Sequence, residues 1–384
     1  MYYDSTKWED VPSDYGFTID GNSTSELCKL TTDELPDNWS CEADGTRYPL
    51  PNILGADENS GVSQSIWQEI CEVAEIESSN NVQNIVTTWS ELQTAIKNAS
   101  SEIETIITIG NDIELTSTDS YITVSSNIKL ISAGEVTISR NGFTGSLFTL
   151  SGGTLSLGDD TENKIIIDGN KESNSALYPF IVVPSGILNI YNGVILRNNN
   201  NTASNTNNIG GGIIVRGGTL NMYGGVITGC ESKKGGGIYI TGGVLNLYEG
   251  EISSCLSNGN GGGICIEGGT VTMTGGAIQK NKAEISAPGS TAGGGGVYLK
   301  SGTEINISGG EIKENFTNSY GGGIGSNTGL GNVYITGTPT IADNYTTYEG
   351  TDSHNLYATT YINGVEIDNT SINEDIIDGE LPEN

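Results

Sequence analysis

The chain has 384 residues, and its 55 glycines follow no Gly-X-Y period, which excludes a collagen. Only 35% of residues are hydrophobic, little for one thick globular core, whereas a solenoid buries side chains only along a narrow axis. The net charge of −31, from 47 acids against 16 bases, repels phosphate backbones and excludes nucleic acid as a partner.

Residues 1–85 hold four prolines, three of the four tryptophans and three of the six cysteines, Cys28, Cys41 and Cys71. They read as a small module or linker, with a short helix expected at 65–76. The opening Met1-Tyr2-Tyr3-Asp4-Ser5 lacks the charged and apolar regions of a secretory signal. No apolar run reaches membrane-spanning length, so no direct membrane insertion is expected of this chain. The expectation is a piece of a longer, exported polypeptide or surface assembly.

Residues 86–103 are expected to form a capping strand and helix. Ser90 and Gln93 have capping-box spacing, and Leu92, Ala95, Ile96 and Ala99 share one helical face. Such a helix covers the open end of a solenoid, where apolar side chains and strand edges lie bare.

From 104 to 349 the chain repeats. Strand-like pieces with little glycine, among them 105–109, 128–131, 155–157 and 165–167, lead into a clearer period. Gly210-Gly211-Gly212-Ile213 returns as Gly235-Gly236-Gly237-Ile238, Gly261-Gly262-Gly263-Ile264, Gly294-Gly295-Gly296-Val297 and Gly321-Gly322-Gly323-Ile324. The steps between their first apolar residues are 25, 26, 33 and 27. A second apolar beat follows at Leu188/Ile190, Leu220/Met222, Leu245/Leu247, Val271/Met273, Ile305/Ile307 and Val333/Ile335. A third falls at Ile195, Ile227, Ile252, Ile278, Ile312 and Ile341. Apolar and polar residues alternate within the first two beats, which is strand periodicity. Three short strands per coil with glycine corners describe an all-β, right-handed parallel β-helix of about nine coils, a rod ~40 Å long at ~4.8 Å per rung. Three residues after each third beat come Asn198, Cys230, Cys255, Asn281, Asn315 and Asn344. This is a structural ladder in which stacked amides can hydrogen-bond from coil to coil. Cys230 and Cys255 interrupt it on adjacent coils, either as buried thiols or as a disulfide. Residues 350–384 read as a C-terminal cap followed by an acidic tail from Asn373.

Gly224-Gly225-Val226-Ile227, Gly275-Gly276-Ala277-Ile278 and Gly309-Gly310-Glu311-Ile312, the last two followed by Asn281 and Asn315, resemble the repeats of the polymorphic outer membrane protein family. That family pairs a Gly-Gly-Ala-Ile-type tetrapeptide with Phe-x-x-Asn; here isoleucine stands in the place of the phenylalanine. The likeness covers about 186–344. More broadly the chain is similar to the pectate-lyase-like β-helix superfamily of bacterial surfaces. The resemblance implies an extracellular, adhesin-like role at the cell surface.

The outstanding candidate site is aromatic. Tyr191, Tyr223 and Tyr248 alternate with inward apolar residues, so they point outward on three successive coils, flanked by Asn189, Asn221 and Asn246. Stacked tyrosines on a polar rim suit a glycan or a host or matrix protein. No catalytic motif emerges. The four arginines, Arg47, Arg140, Arg197 and Arg216, do not converge with acids as a uronate lyase requires, and Asp159-Asp160 is a lone echo of a polygalacturonase. Glu251 and Glu311 share a position two coils apart, hence ~9–10 Å, near the upper limit for an inverting pair of carboxylates. Glu267 and Lys300 face outward on adjacent coils. With no Cys-x-x-Cys and a single histidine, His354, no metal or cofactor is expected. The reading is a non-catalytic adhesive or structural surface protein; the alternatives are a polysaccharide-degrading β-helix enzyme with an unfamiliar site, or a passive spacer.

Overall fold

The computed structural model describes residues 40–43, 46–49 and 84–381, less the short segments 160, 162, 174–177, 203–208, 290–292, 328–330, 349–354, 368–370 and 373. The helix expected at 65–76, His354 and Asp160 lie outside the described residues. The chain divides into two units, 1–83 and 84–384. In the first, Ser40–Ala43 and Thr46–Pro49 pair as an antiparallel hairpin.

The second unit is nearly all β, a parallel β-solenoid of about nine turns. Its first face runs from Ile122–Val124 through Phe148–Leu150, Ile181–Val183 and Ile213–Val215 to Ile324–Ser326 and Leu356–Tyr357. A second face begins at Asn84–Val86 and Thr105–Ile109 and ends at Thr359–Ile362. A third runs from Ile113–Thr116 to Thr340–Ala342. In the middle coils Thr219–Thr228, Ile238–Ser253 and Ile264–Met273 continue around corners and join neighbouring faces. The sequence reading missed a fourth element: two-residue strands from Asn200–Asn201 to Tyr345–Thr346 form a narrow sheet of their own.

Equivalent side chains pile up as the repeat requires. Ile227 pairs with Ile252 and Ile252 with Ile278, all three buried. Leu188, Leu220, Leu245, Val271, Ile305 and Val333 form one continuous inward column. Each glycine triplet makes a corner where coils nearly touch. Gly235 has φ +63°, and a Cβ on Gly236 would strike the carbonyl oxygen of Gly262 in the next coil. Only glycine suits both demands.

Helix α1 (Trp89–Lys97) packs on the first coil through Trp89, Leu92 and Ile96. Its capping box is Thr88 with Glu91, and Ser90 with Gln93 proves to be internal. Thr88 Oγ1 accepts from the Glu91 amide at 3.2 Å, and Glu91 reaches back to the Thr87 and Thr88 amides at 2.7 and 3.2 Å. Trp89 decides the register: its indole packs 5.6 Å from Phe148 and donates to the Ser120 carbonyl at 2.8 Å.

The C-terminal end is closed by strands that reverse direction. Val365–Ile367 and Ser371–Ile372 pair antiparallel with the last rungs, and Ile376 bridges to Ile341. Residues 374–381 are therefore part of the cap and not a tail: Ile376 is 0% exposed, and Leu381 packs against the core.

Candidate functional site

The outward side of the second face carries two ladders. Asn189, Asn221 and Asn246 stand on paired rungs. Asn246 Nδ2 donates to Asn221 Oδ1 at 2.9 Å, Asn221 Nδ2 to Asn189 Oδ1 at 2.9 Å, and Asn189 Nδ2 to Ser156 Oγ at 3.2 Å. Asn189 and Asn221 each spend one donor and one acceptor along the ladder, and Asn246, at its end, spends one donor. Two residues on, Tyr191 and Tyr223 stack with centroids 5.3 Å apart, and Tyr223 and Tyr248 at 5.0 Å with 4° between planes. Lys129 Nζ lies 6.0 Å from the Tyr191 ring centroid. Tyr223 and Tyr248 are 37% and 39% exposed. Because both faces of Tyr223 are covered by its neighbours, it offers solvent its edge and hydroxyl. The rings already exclude water from between one another, so that part of the desolvation precedes any partner's arrival.

The internal ladder is continuous over the later coils. Asn281 Nδ2 donates to Asn315 Oδ1, Asn315 Nδ2 to Asn344 Oδ1 and Asn344 Nδ2 to Asn355 Oδ1, at 3.0, 3.0 and 2.9 Å. Asn355 Nδ2 ends the run on Asp375 Oδ1 at 3.0 Å. Asn198 does not belong to it. Leu196, not Ile195, pairs with Ile227, and the residue in the ladder column is Asn199, which is buried. Asn198 stands one place earlier with φ +57°, in a column of left-handed corners with Ser254, Lys280, Glu314 and Asp343. Asparagine tolerates that conformation better than most side chains.

Asn199 meets a residue that sequence reasoning did not single out for this place. Arg140 is 0% exposed; its Nη1 donates to Asn199 Oδ1 at 2.7 Å, and Nη2 donates to the carbonyls of Gly145 and Pro179 at 2.7 and 3.1 Å. The guanidinium also lies 5.0 Å from the Phe180 ring centroid, and Nε has no acceptor. Burial pushes its pKa down to about 9, so it stays charged at neutral pH. Cys230 and Cys255, next along the column, are buried free thiols.

On the outward side of the first face, Ile214, Tyr239, Cys265 and Tyr298 form a small second apolar cluster. Glu267 beside it accepts from Lys234 Nζ at 2.5 Å and from the Tyr239 hydroxyl at 2.8 Å, so its direct ion-pair partner is Lys234 and not Lys300. Burial alone would raise the Glu267 pKa, but the hydrogen bonds from Lys234 and Tyr239 hold it below the usual value. Glu251 and Glu311 do share a column, separated by Ala277. Glu311, however, is ion-paired to Lys313 at 2.5 Å on a half-exposed surface. Asn315, in the sequon-like Asn315-Phe316-Thr317, is fully buried.

Among the described residues no three His, Cys, Asp or Glu side chains gather into a metal-binding group, and no helix is long and apolar enough to cross a membrane. Comparison with protein-family models, with curated proteins and with solved structures finds no match for the chain.

Proposed function

We propose that the solenoid is a non-catalytic rod displayed at a cell surface or secreted, whose lateral tyrosine and asparagine face adheres to a glycan or to a host or matrix protein. One observation carries this reading: three stacked tyrosines beside a self-bonded amide ladder on three successive coils. Aromatic rings with polar tips are favoured at recognition surfaces, and order in the unbound state lowers the entropy lost on binding. The Gly-Gly-x-Ile repeats with Asn281 and Asn315 support placing the chain near the polymorphic outer membrane protein repeats, which fits a surface role. The acidic surface suits a solvent-facing rod.

The test is attachment of purified protein to cells and to an array of glycans and matrix proteins. Changing Tyr191, Tyr223 and Tyr248 together to serine is expected to lower binding at least tenfold, with rod stability reduced only modestly. Undiminished attachment removes the tyrosine face. Release of reducing or unsaturated ends from polysaccharides would replace adhesion by an enzymatic reading.

A further inference from the structure

The second face stays almost uncharged along much of its length, in a chain with 47 acids. Asn189, Asn221, Asn246, Thr272, Asn306, Tyr334 and Tyr361 make one outward column, rung by rung. Six steps of ~4.8 Å give it a length of ~29 Å. On those rungs the strand residues turned away from the core are amides, hydroxyls, phenols and the aliphatic Ile187 and Val244, and only Glu304 is charged. The third face differs, with Arg197, Glu251, Glu311 and Lys313 outward on the same coils.

Tyrosines stand at both ends of this strip. Tyr334 and Tyr361 stack 4.9 Å apart with 17° between planes, and Asn332 Nδ2 donates to the Tyr334 hydroxyl at 3.4 Å. Among the described residues, Tyr248 stacks only on Tyr223 and Tyr334 only on Tyr361. Each therefore turns one ring face along the axis, toward the rungs between them. Those rungs carry the exposed Thr274 and Ser308 and the half-buried Thr272 and Asn306. Tyr248 and Tyr334 are three steps apart, ~14 Å. The gap has aromatic walls and a floor of hydroxyls and an amide.

That lining matches a sugar, whose C–H faces pack on aromatic planes and whose hydroxyls pair with amides and hydroxyls. Outward residues across one strand span ~13 Å, so the strip covers roughly 400 Å². A stable protein partner covers about 800 Å² and would have to spread onto the charged third face. A polyanion would meet Glu304 and a net charge of −31. An uncharged chain one sugar wide meets neither obstacle.

We propose that this strip binds a neutral, unbranched polysaccharide laid along the rod axis, with one sugar packed on Tyr248 and another on Tyr334, an assignment that rests on the adhesive reading of the face and narrows its partner to one class.

The experiment measures binding of the full chain to soluble neutral glucan, mannan and galactan, to their disaccharides, and to polygalacturonate and heparin. At least one neutral polymer is expected to bind about tenfold tighter than its disaccharide, which is too short to use both walls. Its affinity should be the same at low and high salt, because no charges are paired. Tyr334→Ser should weaken polymer binding about tenfold, and Tyr334→Phe, which keeps the ring, should retain most of it. Should Tyr334→Ser fail to fold, Thr274→Arg fills the gap from an exposed position and is expected to weaken binding in the same way. Preference for the acidic polymers, or polymer binding that these variants leave unchanged, overturns the assignment. Attachment to a matrix protein without binding to any neutral polymer also overturns it while sparing the adhesive reading, and absence of all attachment removes both.

Discussion

Tyr298 shows how one hydroxyl couples the outward cluster to pH. Its ring is 4% exposed, packed among Cys265, Tyr239 and the neighbouring apolar side chains. Burial first, then the charges of Cys265 and Glu267, push its pKa up to about 12. Below about pH 10 the phenol is protonated in both the folded and the unfolded chain. Between about pH 10 and 12 the unfolded chain loses that proton while the folded chain keeps it, so stability falls as pH rises. The loss reaches roughly 2–3 kcal/mol at the top of the window. Tyr298→Phe should flatten the alkaline limb of a stability-versus-pH curve by about that amount, measured by urea unfolding. A curve parallel to that of the parent would place the ring in a wetter environment.

At the scale of elements, the internal amide ladder fixes which coil follows which. Asn315 accepts from the Asn281 amide and Nδ2, both at 3.0 Å, and donates to the Ile278 carbonyl at 2.8 Å. Asn315→Ala strands several buried partners at once, each costing roughly 1–3 kcal/mol when unpaired. The expected destabilisation is about 3–4 kcal/mol by denaturant titration, against under ~1 kcal/mol for Asn141→Ala at an exposed strand position. These columns were legible in the sequence wherever glycine corners and alternation agreed. They were misread by one place at Val194-Ile195-Leu196, where three consecutive apolar residues offer two phases and only pairing to Ile227 selects Leu196. The helix start was misread for a similar reason. Thr88-Trp89-Ser90-Glu91 and Ser90-Glu91-Leu92-Gln93 both have cap spacing, and the anchoring of Trp89 under Phe148 chooses the first. The tyrosine and asparagine stacks were visible as a repeated Asn-x-Tyr. Arg140 was not: its partners Asn199, Gly145 and Pro179 are distant or unpatterned in sequence, and a buried arginine leaves no periodic trace.

For the whole molecule, charge is the dominant long-range term. With 47 acids against 16 bases, the compact state carries self-repulsion that the unfolded chain relaxes. Several of the described bases are engaged locally, as in Lys164–Glu135, Arg197–Asp168 and Lys282–Glu284, so the excess of carboxylates remains to be screened. Raising sodium chloride from about 0.01 to 0.5 M shortens the screening length from ~30 Å to only a few ångströms. The melting temperature should rise by several degrees over that range. A falling value would mean that the ion pairs outweigh the repulsion.

The glycine corners carry a further consequence. Gly237 leads into Ile238 just as Gly263 leads into Ile264, on rungs whose backbones superimpose one step apart. Residues 238–263 could therefore be excised, or copied in tandem, with the cut ends meeting in a junction the protein already uses. Reach can then be lengthened or shortened by whole increments while each end keeps its own closure, so the distance spanned by such a rod is open to change by simple duplication or loss of a segment.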